Sequence, residues 1–91
     1  MRESTILVIN RLGLHARAAA QLVRLAAKFN SRITLFRADR NVFANGKSIL
    51  SVLALAAGKG TELAIKVEGE DEETALDEIE ALFANGFGES F

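Results

Sequence analysis

The stretch TILVINRLGLHARAAAQLVRLAAK, residues 5–28, contains the two patterns that decide the fold. Residues 5–9 are a short apolar run rich in β-branched side chains, which predicts a strand. Residues 10–14 are expected to form a loop, and residues 16–28 then repeat apolar residues at the 3.6-residue spacing of an amphipathic helix. The apolar stripe of this helix consists of Ala19, Leu22, Val23 and Ala26, and the opposite stripe of Arg17, Gln21, Arg24 and Lys28.

The rest of the chain continues the alternation of short strands and helices. The resulting order, β-α-β-β-α-β-α, predicts an α+β sandwich with helices on one face of a mostly antiparallel sheet. The further strands are expected at residues 33–37, 41–44 and 62–68, and the further helices at residues 47–56 and 71–84. The residues expected to be buried between the two layers are Leu22, Val23, Leu63, Ile65, Val67, Leu76 and Ile79.

Composition argues against several classes of protein. The 91 residues suffice for one domain, residues 1–91, and 49% of them are hydrophobic. With 11 basic and 12 acidic residues the net charge is −1, which argues against nucleic-acid binding and against a polybasic membrane anchor. One histidine and no cysteine leave a metal site without its usual ligands. We see no signal peptide and no apolar run of the ~18 residues that a membrane span needs, so we expect a cytoplasmic protein.

His15 stands immediately before the predicted first helix. A lone histidine is more often structural, but a helix N-terminus offers unpaired N–H groups and partial positive charge, and a phosphoryl group on His15 would meet both. Arg17 can add charge-assisted hydrogen bonds to phosphate oxygens, and Gly13 is expected to leave the approach flexible and unhindered. Imidazole is substantially neutral at physiological pH, so one ring nitrogen is nucleophilic and no acidic partner is needed.

The sequence around His15 resembles a known signature. GLHAR, residues 13–17, is similar to the active-site motif of the HPr family, the histidine-containing phosphocarriers of the bacterial phosphotransferase system. NGKSIL at residues 45–50, AGKGTEL at 57–63 and EGEDE at 68–72 also resemble stretches of that family. One short match would be weak, but these blocks span nearly the whole chain in the right order.

The resemblance implies a fold and a function. It implies an open-faced β-sandwich with three helices on one side of a four-stranded sheet, acting as a carrier rather than an enzyme, as a monomer and without a cofactor. His15 would accept a phosphoryl group on a ring nitrogen from Enzyme I, which takes it from phosphoenolpyruvate, and pass it to an Enzyme IIA protein; Arg17 would bind the phosphate. Many members have proline where this chain has Ala18. The run at residues 18–20 and the GFGE tail at 86–89 are more similar to the nitrogen-related branch, NPr.

Ser48 and the apolar residues after it form a second region of interest. Serine at a helix start is usually an N-cap, and the resemblance adds a role as the target of a serine kinase or phosphorylase. The helix is apolar on two stripes, so it is either deeply buried or a docking patch. The family uses this helix for docking. One stripe is Val52, Leu55 and Ala56, and the other, Ile49, Leu50 and Leu53, is assigned to docking, with Arg24 and Lys28 adding electrostatic steering.

Three other classes of function remain open. An HPr-like regulator would signal by phosphorylation-dependent binding, in nitrogen or carbon control, instead of supplying sugar transport. The second class is a ligand- or RNA-binding βαββαβ domain. An RNA-binding domain of this kind should show paired aromatic residues on its central strands, but Phe36 and Phe43 are the only strand aromatics and no RNP-like motif surrounds them. A free-standing enzyme is the least favoured, since few polar groups could converge for acid–base catalysis.

Overall fold

The structure is a computed structural model that describes residues 1–89, and it contains the predicted order of strands and helices. The strands are β1 (Arg2–Leu7), β2 (Arg32–Arg37), β3 (Val42–Asn45) and β4 (Glu62–Glu68). The helices are α1 (Ala16–Ala26), α2 (Ile49–Ala54) and α3 (Glu72–Ala84), followed by a 3₁₀ turn at Gly86–Gly88.

The four strands form one open sheet in the order β1-β4-β2-β3, and each neighbouring pair is antiparallel. β4 lies inside the sheet, where Leu63 pairs with Ile6 and Ile65 pairs with Leu35. Exposed and buried side chains alternate along all of β4, as expected of a strand with one covered face. Helices pack on the covered face while the other stays open, which confirms the predicted α+β open-faced sandwich.

A hydrophobic core fills the space between the sheet and the helices. Of the residues predicted to lie in it, all except Val23 are buried. Val23 is half-buried and packs against the core from its edge, because the buried line of α1 runs through Ala19, Leu22 and Ala26. The predicted stripe is therefore correct in its centre, but it includes the half-buried Val23 and omits the buried Ala18.

β1 lies earlier in the chain than the strand predicted at residues 5–9. Arg2 and Glu3 pair with Val67 and Lys66, because an edge strand tolerates polar side chains on its exposed face. Val8 lies beyond the end of β1 although it is fully buried. The apolar run thus indicated burial rather than strand boundaries.

Backbone turns shorten α1 and shift β3 by one residue, to Val42–Asn45. α1 ends at Ala26 instead of residue 28, because the N–H groups of Lys28 and Phe29 donate to carbonyls three residues back and tighten the turn. β3 begins at Val42 instead of residue 41, since Asn41 has φ 53, which a strand does not contain. β2 begins one residue earlier than predicted, at the exposed Arg32.

α2 is shorter than the helix predicted at residues 47–56. Ser48 is its N-cap, so the helix begins at Ile49, and it ends at Ala54. Ala56 has φ 50 and is exposed, and it therefore does not belong to the apolar stripe with Val52. Val52 and Leu55 are buried as that stripe requires.

Asp71 precedes α3 and does not form its first residue, as the prediction of residues 71–84 had it. Its carboxylate accepts hydrogen bonds from the N–H groups of Asn30 and Ser31, at 2.8 and 2.9 Å, and from the Ser31 hydroxyl at 2.5 Å. The Ser31 hydroxyl, followed by the Asn30 N–H, holds the pKa of Asp71 below its ordinary value. These bonds tie the start of α3 to the turn before β2.

We expect Asp71→Asn to lower the melting temperature and to weaken its dependence on acid. Because the folded state lowers the pKa of Asp71, the carboxylate stabilises the fold above its ordinary pKa of 3.8, and this contribution is lost as pH falls through the lowered value. Thermal unfolding followed by circular dichroism at neutral and acidic pH measures it. Asp77→Asn, at an exposed position of α3, is the matched control. Equal acid dependence in wild type and Asp71→Asn would contradict the prediction.

Candidate functional site

His15 is the N-cap of α1, with φ −73 and ψ 178, and is therefore where the sequence placed it. Its backbone carbonyl accepts the helical hydrogen bond from the Ala19 N–H at 2.8 Å. Its ring nitrogen Nδ1 accepts a hydrogen bond from the Arg17 N–H at 3.3 Å, so this nitrogen faces the first turn of the helix. The imidazole thus lies at the positive end of the α1 dipole with one nitrogen lone pair directed at backbone donors.

Gly13 is not the flexible, unhindered residue that the sequence suggested. It is buried and has φ +66, and a Cβ added to it would lie 2.5 Å from the Ala57 carbonyl oxygen and 2.7 Å from the Gly58 Cα. The next residue, Leu14, donates its N–H to the same Ala57 carbonyl at 2.8 Å. Glycine is therefore needed so that the loop before His15 can pack tightly against the end of the α2 segment.

Glu89 is the residue of this site that the sequence analysis missed. Its Oε2 lies 2.5 Å from Nε2 of His15 and accepts a hydrogen bond from Nδ2 of Asn10 at 3.1 Å, and its Oε1 accepts one from the Leu12 N–H at 3.4 Å. The His15 side chain is 27% exposed and that of Glu89 is 18% exposed, so the pair is partly shielded from water. The sequence analysis held that His15 needs no acidic partner for its reactivity; the structure places one beside it.

The ionised form of Glu89 is favoured by these contacts. The hydrogen bond from His15 is the main cause that lowers the pKa of Glu89, and the bonds from Asn10 and the Leu12 N–H act in the same direction. A carboxylate can only accept hydrogen bonds, so Nε2 of His15 must carry the ring proton when it bonds to Glu89. In the neutral imidazole, Nδ1 then keeps its lone pair.

The chain reaches Glu89 through an unusual turn after α3. Gly86, Phe87 and Gly88 all have positive φ, of 60, 56 and 77 degrees. The Phe87 ring is buried and stacks edge-on against Phe83, with ring centroids 4.9 Å apart. Because glycine adopts positive φ at no steric cost, the GFG sequence was a visible signal of this turn. Gly86, with φ 60, follows Asn85, the C-cap of α3, and its positive φ suits the end of a helix.

The basic residues predicted for the site lie on the exposed side of α1. Arg17 is exposed in the first turn, one residue past the start of the helix, and its N–H already faces His15. Arg24 is exposed in the last turn, and Lys28 is exposed just beyond it. Arg24 and Lys28 are thus free of the core, at the far end of α1 from His15.

Ser48 caps α2 as predicted, accepting a hydrogen bond from the Ser51 N–H at 3.3 Å. Among the residues assigned to docking, Leu50 is 77% exposed and Ile49 is 40% exposed. Leu53 is partly buried against the core and offers less surface. α2 packs beside α1, so Ile49 and Leu50 form an apolar patch on the helical side of the molecule.

The remaining candidate features lie away from His15. Phe36 and Phe43 stack on one another across β2 and β3, with ring centroids 4.3 Å apart, on the open face of the sheet. Within residues 1–89, no three histidine, cysteine, aspartate or glutamate side chains are grouped to hold a metal ion. Across the same residues, each helix is too short or too polar to cross a membrane.

Comparison with known proteins agrees with this architecture. Residues 2–85 match the family described as PTS HPr component phosphorylation site. Phosphocarrier protein HPr of Xylella fastidiosa is 47% identical over 89 residues, 98% of each chain, and that of Treponema pallidum is 52% identical over 85 residues, 93% of this chain and 94% of the relative. The crystal structure of HPr-C-His from Thermoanaerobacter tengcongensis superposes with a TM-score of 0.94 at 38% identity and covers 100% of both chains.

The fold and these relatives define a phosphocarrier protein of the phosphotransferase system, not an enzyme. The chain belongs to the HPr family. The resemblance stated from the sequence is thereby confirmed, as is the prediction that the protein carries a phosphoryl group without being a catalyst.

Proposed function

We propose that His15 accepts a phosphoryl group at Nδ1 from Enzyme I and passes it to an Enzyme IIA protein. The observation that carries this proposal is the orientation of the ring. Nδ1 faces the N-terminus of α1, where the Arg17 N–H lies 3.3 Å away, whereas Nε2 is occupied by Glu89. The unprotonated nitrogen is therefore the one next to an anion site, and its long hydrogen bond from the Arg17 N–H is given up when Nδ1 attacks phosphorus.

The chemistry of the transfer is a displacement at phosphorus. Nδ1 attacks the phosphorus atom. The bond between phosphorus and Enzyme I breaks as the new N–P bond forms, and the proton on Nε2 stays in place. The first backbone N–H groups of α1 lack helical partners and can bind the phosphoryl oxygens, and the exposed Arg17 guanidinium can join them. In the second transfer a nucleophile of the Enzyme IIA protein attacks the same phosphorus atom, and the N–P bond to Nδ1 breaks as the new bond forms.

Docking uses the apolar patch of Ile49 and Leu50 on α2, the helix that packs against α1. Ile49 and Leu50 expose apolar surface on the same side of the molecule as α1, with Leu53 at the edge. Arg24 and Lys28 place positive charge on the exposed face of α1, which would accelerate encounter with an acidic partner surface. One surface would thus serve donor and acceptor in turn, consistent with a carrier that meets them one at a time.

The direct test is incubation of the protein with Enzyme I and phosphoenolpyruvate, followed by intact mass measurement. We expect one added phosphoryl group, which is removed by mild acid because phosphohistidine is acid-labile. Addition of an Enzyme IIA protein should return the carrier to its original mass. Reactions without Enzyme I or without phosphoenolpyruvate are the controls, and absence of a mass increase in the complete reaction would refute the proposal.

Phosphorylation of Ser48 is expected to slow acceptance from Enzyme I by about tenfold, equivalent to ~1.4 kcal/mol of binding. The phosphate adds about −1.5 to −2 charges next to Ile49 and Leu50, and a docked apolar interface would have to desolvate it. Ser48→Asp should have a smaller effect because it adds one charge. Transfer rates from phosphorylated Enzyme I at several carrier concentrations measure both, and circular dichroism should be unchanged because aspartate also caps helices well.

Leu50→Glu tests the apolar patch independently of the helix cap, because it places a charge on the same surface without altering Ser48. We expect it to raise the carrier concentration needed for half-maximal rate. Leu7→Glu is the matched control, because Leu7 is 51% exposed on β1 opposite the exposed Glu62, on the face of the sheet away from the helices. Unchanged rates for both phosphorylated Ser48 and Leu50→Glu would show that docking lies elsewhere.

The pathway in which the carrier acts is a finer part of the same proposal. The AAA run at residues 18–20 and the GFGE tail support the nitrogen-related branch over sugar transport. Competition between a sugar-type and a nitrogen-type Enzyme IIA for the phosphorylated carrier would distinguish the two. The cytoplasmic location, the monomeric state and the existence of a serine kinase or phosphorylase stay predictions.

A further inference from the structure

We propose that Glu89 is a positioning residue that selects Nδ1 of His15 as the phosphoryl acceptor by occupying Nε2. The inference deepens the proposed function and rests on it. In a free histidine side chain both ring nitrogens react with phosphoryl donors, and Nε2 is the less hindered because it lies farther from Cβ. A carrier with its anion site next to Nδ1 therefore gains from a group that removes Nε2 from competition.

The contacts of Glu89 make it a built part of the site. Its carboxylate has three donors arranged around it, from His15, Asn10 and the Leu12 N–H. Asn10 is fully buried, and its Nδ2 donates both to Glu89 and, at 2.8 Å, to the Gly13 carbonyl. Its Oδ1 is left without a hydrogen-bond partner from residues 1–89. An unpaired buried acceptor is destabilising. The Asn10 amide nevertheless keeps the orientation in which Nδ2 donates to Glu89 and Oδ1 has no partner.

The segment before Glu89 fixes its position. Phe87 is buried against Phe83, and its carbonyl accepts a hydrogen bond from Nε2 of Gln21 on α1 at 3.2 Å. The tail is thus attached to α3 through an aromatic contact and to α1 through a hydrogen bond. Both attachments lie within two residues of Glu89 and hold its carboxylate against Nε2 of His15.

The positioning role has a consequence during transfer. As the N–P bond forms at Nδ1 the imidazole ring gains positive charge, and the proton on Nε2 stays hydrogen-bonded to the Glu89 carboxylate. Glu89 thereby stabilises the phosphorylated, protonated ring without touching the phosphoryl group. Because Glu89 acts through His15, its removal should change which nitrogen reacts before it changes whether His15 reacts at all.

Phosphoramidate tests the role without any protein donor, because it phosphorylates histidine directly and releases ammonia. We expect the wild type to give mainly Nδ1-phosphohistidine by ³¹P NMR. In Glu89→Gln, which keeps the size of the side chain and removes its charge, the ratio of Nε2 to Nδ1 product should rise by about tenfold or more, or ~1.4 kcal/mol. Glu70→Gln removes an exposed charge beyond the far end of β4 and should match the wild type.

Identical product ratios in wild type and Glu89→Gln would overturn the inference, as would predominant Nε2 labelling of the wild type. A purely structural role for the tail would alter the melting temperature and leave the ratio unchanged. The proposed function fails in a different way: phosphoramidate would label Nδ1 selectively, while Enzyme I and phosphoenolpyruvate would leave His15 unlabelled. That result would refute the relay and still support the positioning role of Glu89.

Discussion

Replacement of His15 by alanine is expected to abolish phosphorylation by Enzyme I and phosphoenolpyruvate. His15 is the only histidine of the chain, so no second imidazole can take over. The fold should survive, because the ring is partly exposed and its loss removes only one long hydrogen bond of the helix cap and the contact with Glu89. Loss of a capping side chain costs about 1 kcal/mol, or a fall of about 4–8 °C in melting temperature for a domain of this size. Intact mass and circular dichroism measure the two effects.

Arg17→Ala is the graded companion of this variant. It removes the guanidinium but keeps the backbone N–H that faces Nδ1, so transfer should slow without stopping. A charge-assisted hydrogen bond is worth about 1.5–3 kcal/mol, which corresponds to a rate loss of about tenfold to a hundredfold. Labelling of the His15→Ala protein by Enzyme I would contradict the relay, because that variant contains no histidine.

The sequence predicted the parts of the fold in which one periodicity dominates. β4 alternates strictly between buried and exposed residues, and its predicted bounds, 62–68, agree with the structure. α1 begins at Ala16 as predicted, directly after the N-cap His15. Some boundaries lie next to a turn, as at Asn41 before β3 and at Ala56 after α2. Each of these depends on a single backbone dihedral angle, which the periodicity of the side chains does not indicate.

The site was predictable only as far as it is local in sequence. His15 and Arg17 are two residues apart, and the position of a helix N-terminus next to them follows from the helical pattern. Glu89 reaches His15 across 74 residues, by way of a turn with three consecutive positive φ angles. No pattern near residue 15 contains that contact; it depends on how α3 and its tail pack against α1. The GFG sequence predicts a turn, but it does not predict that the turn brings Glu89 to His15.

The role of Gly13 also depends on packing that the sequence does not show. A glycine next to a reactive residue suggested freedom, whereas its surroundings require a small residue with φ +66 in close contact with backbone. Loop flexibility and close approach are both typical of glycine, and the sequence does not distinguish them. The structure assigns the second reason here, which leads to a large expected effect of substitution.

Gly13→Ala is expected to destabilise the protein by about 2–4 kcal/mol. The added Cβ would lie 2.5 Å from the Ala57 carbonyl oxygen and 2.7 Å from the Gly58 Cα, and both neighbours are backbone atoms that cannot rotate away. The left-handed φ adds its own cost for alanine. Relief requires the loop to move away from Ala57, which breaks the Leu14 N–H bond to that carbonyl and displaces His15. Denaturant unfolding measures the stability, and the rate of acceptance from Enzyme I should fall with it.

Gly58→Ala is the matched control for this contact. Gly58 lies on the other side of the same approach, yet a Cβ at Gly58 would meet no atom within 4 Å, and its φ lies outside the left-handed region. Its unfolding free energy should therefore stay within about 0.5–1 kcal/mol of the wild type, and the sign is expected to be favourable because alanine restricts the unfolded chain. If Gly13→Ala were as stable as Gly58→Ala, the close approach at Ala57 would not constrain the loop, and the position of His15 would have to be fixed by α1 and Glu89 instead.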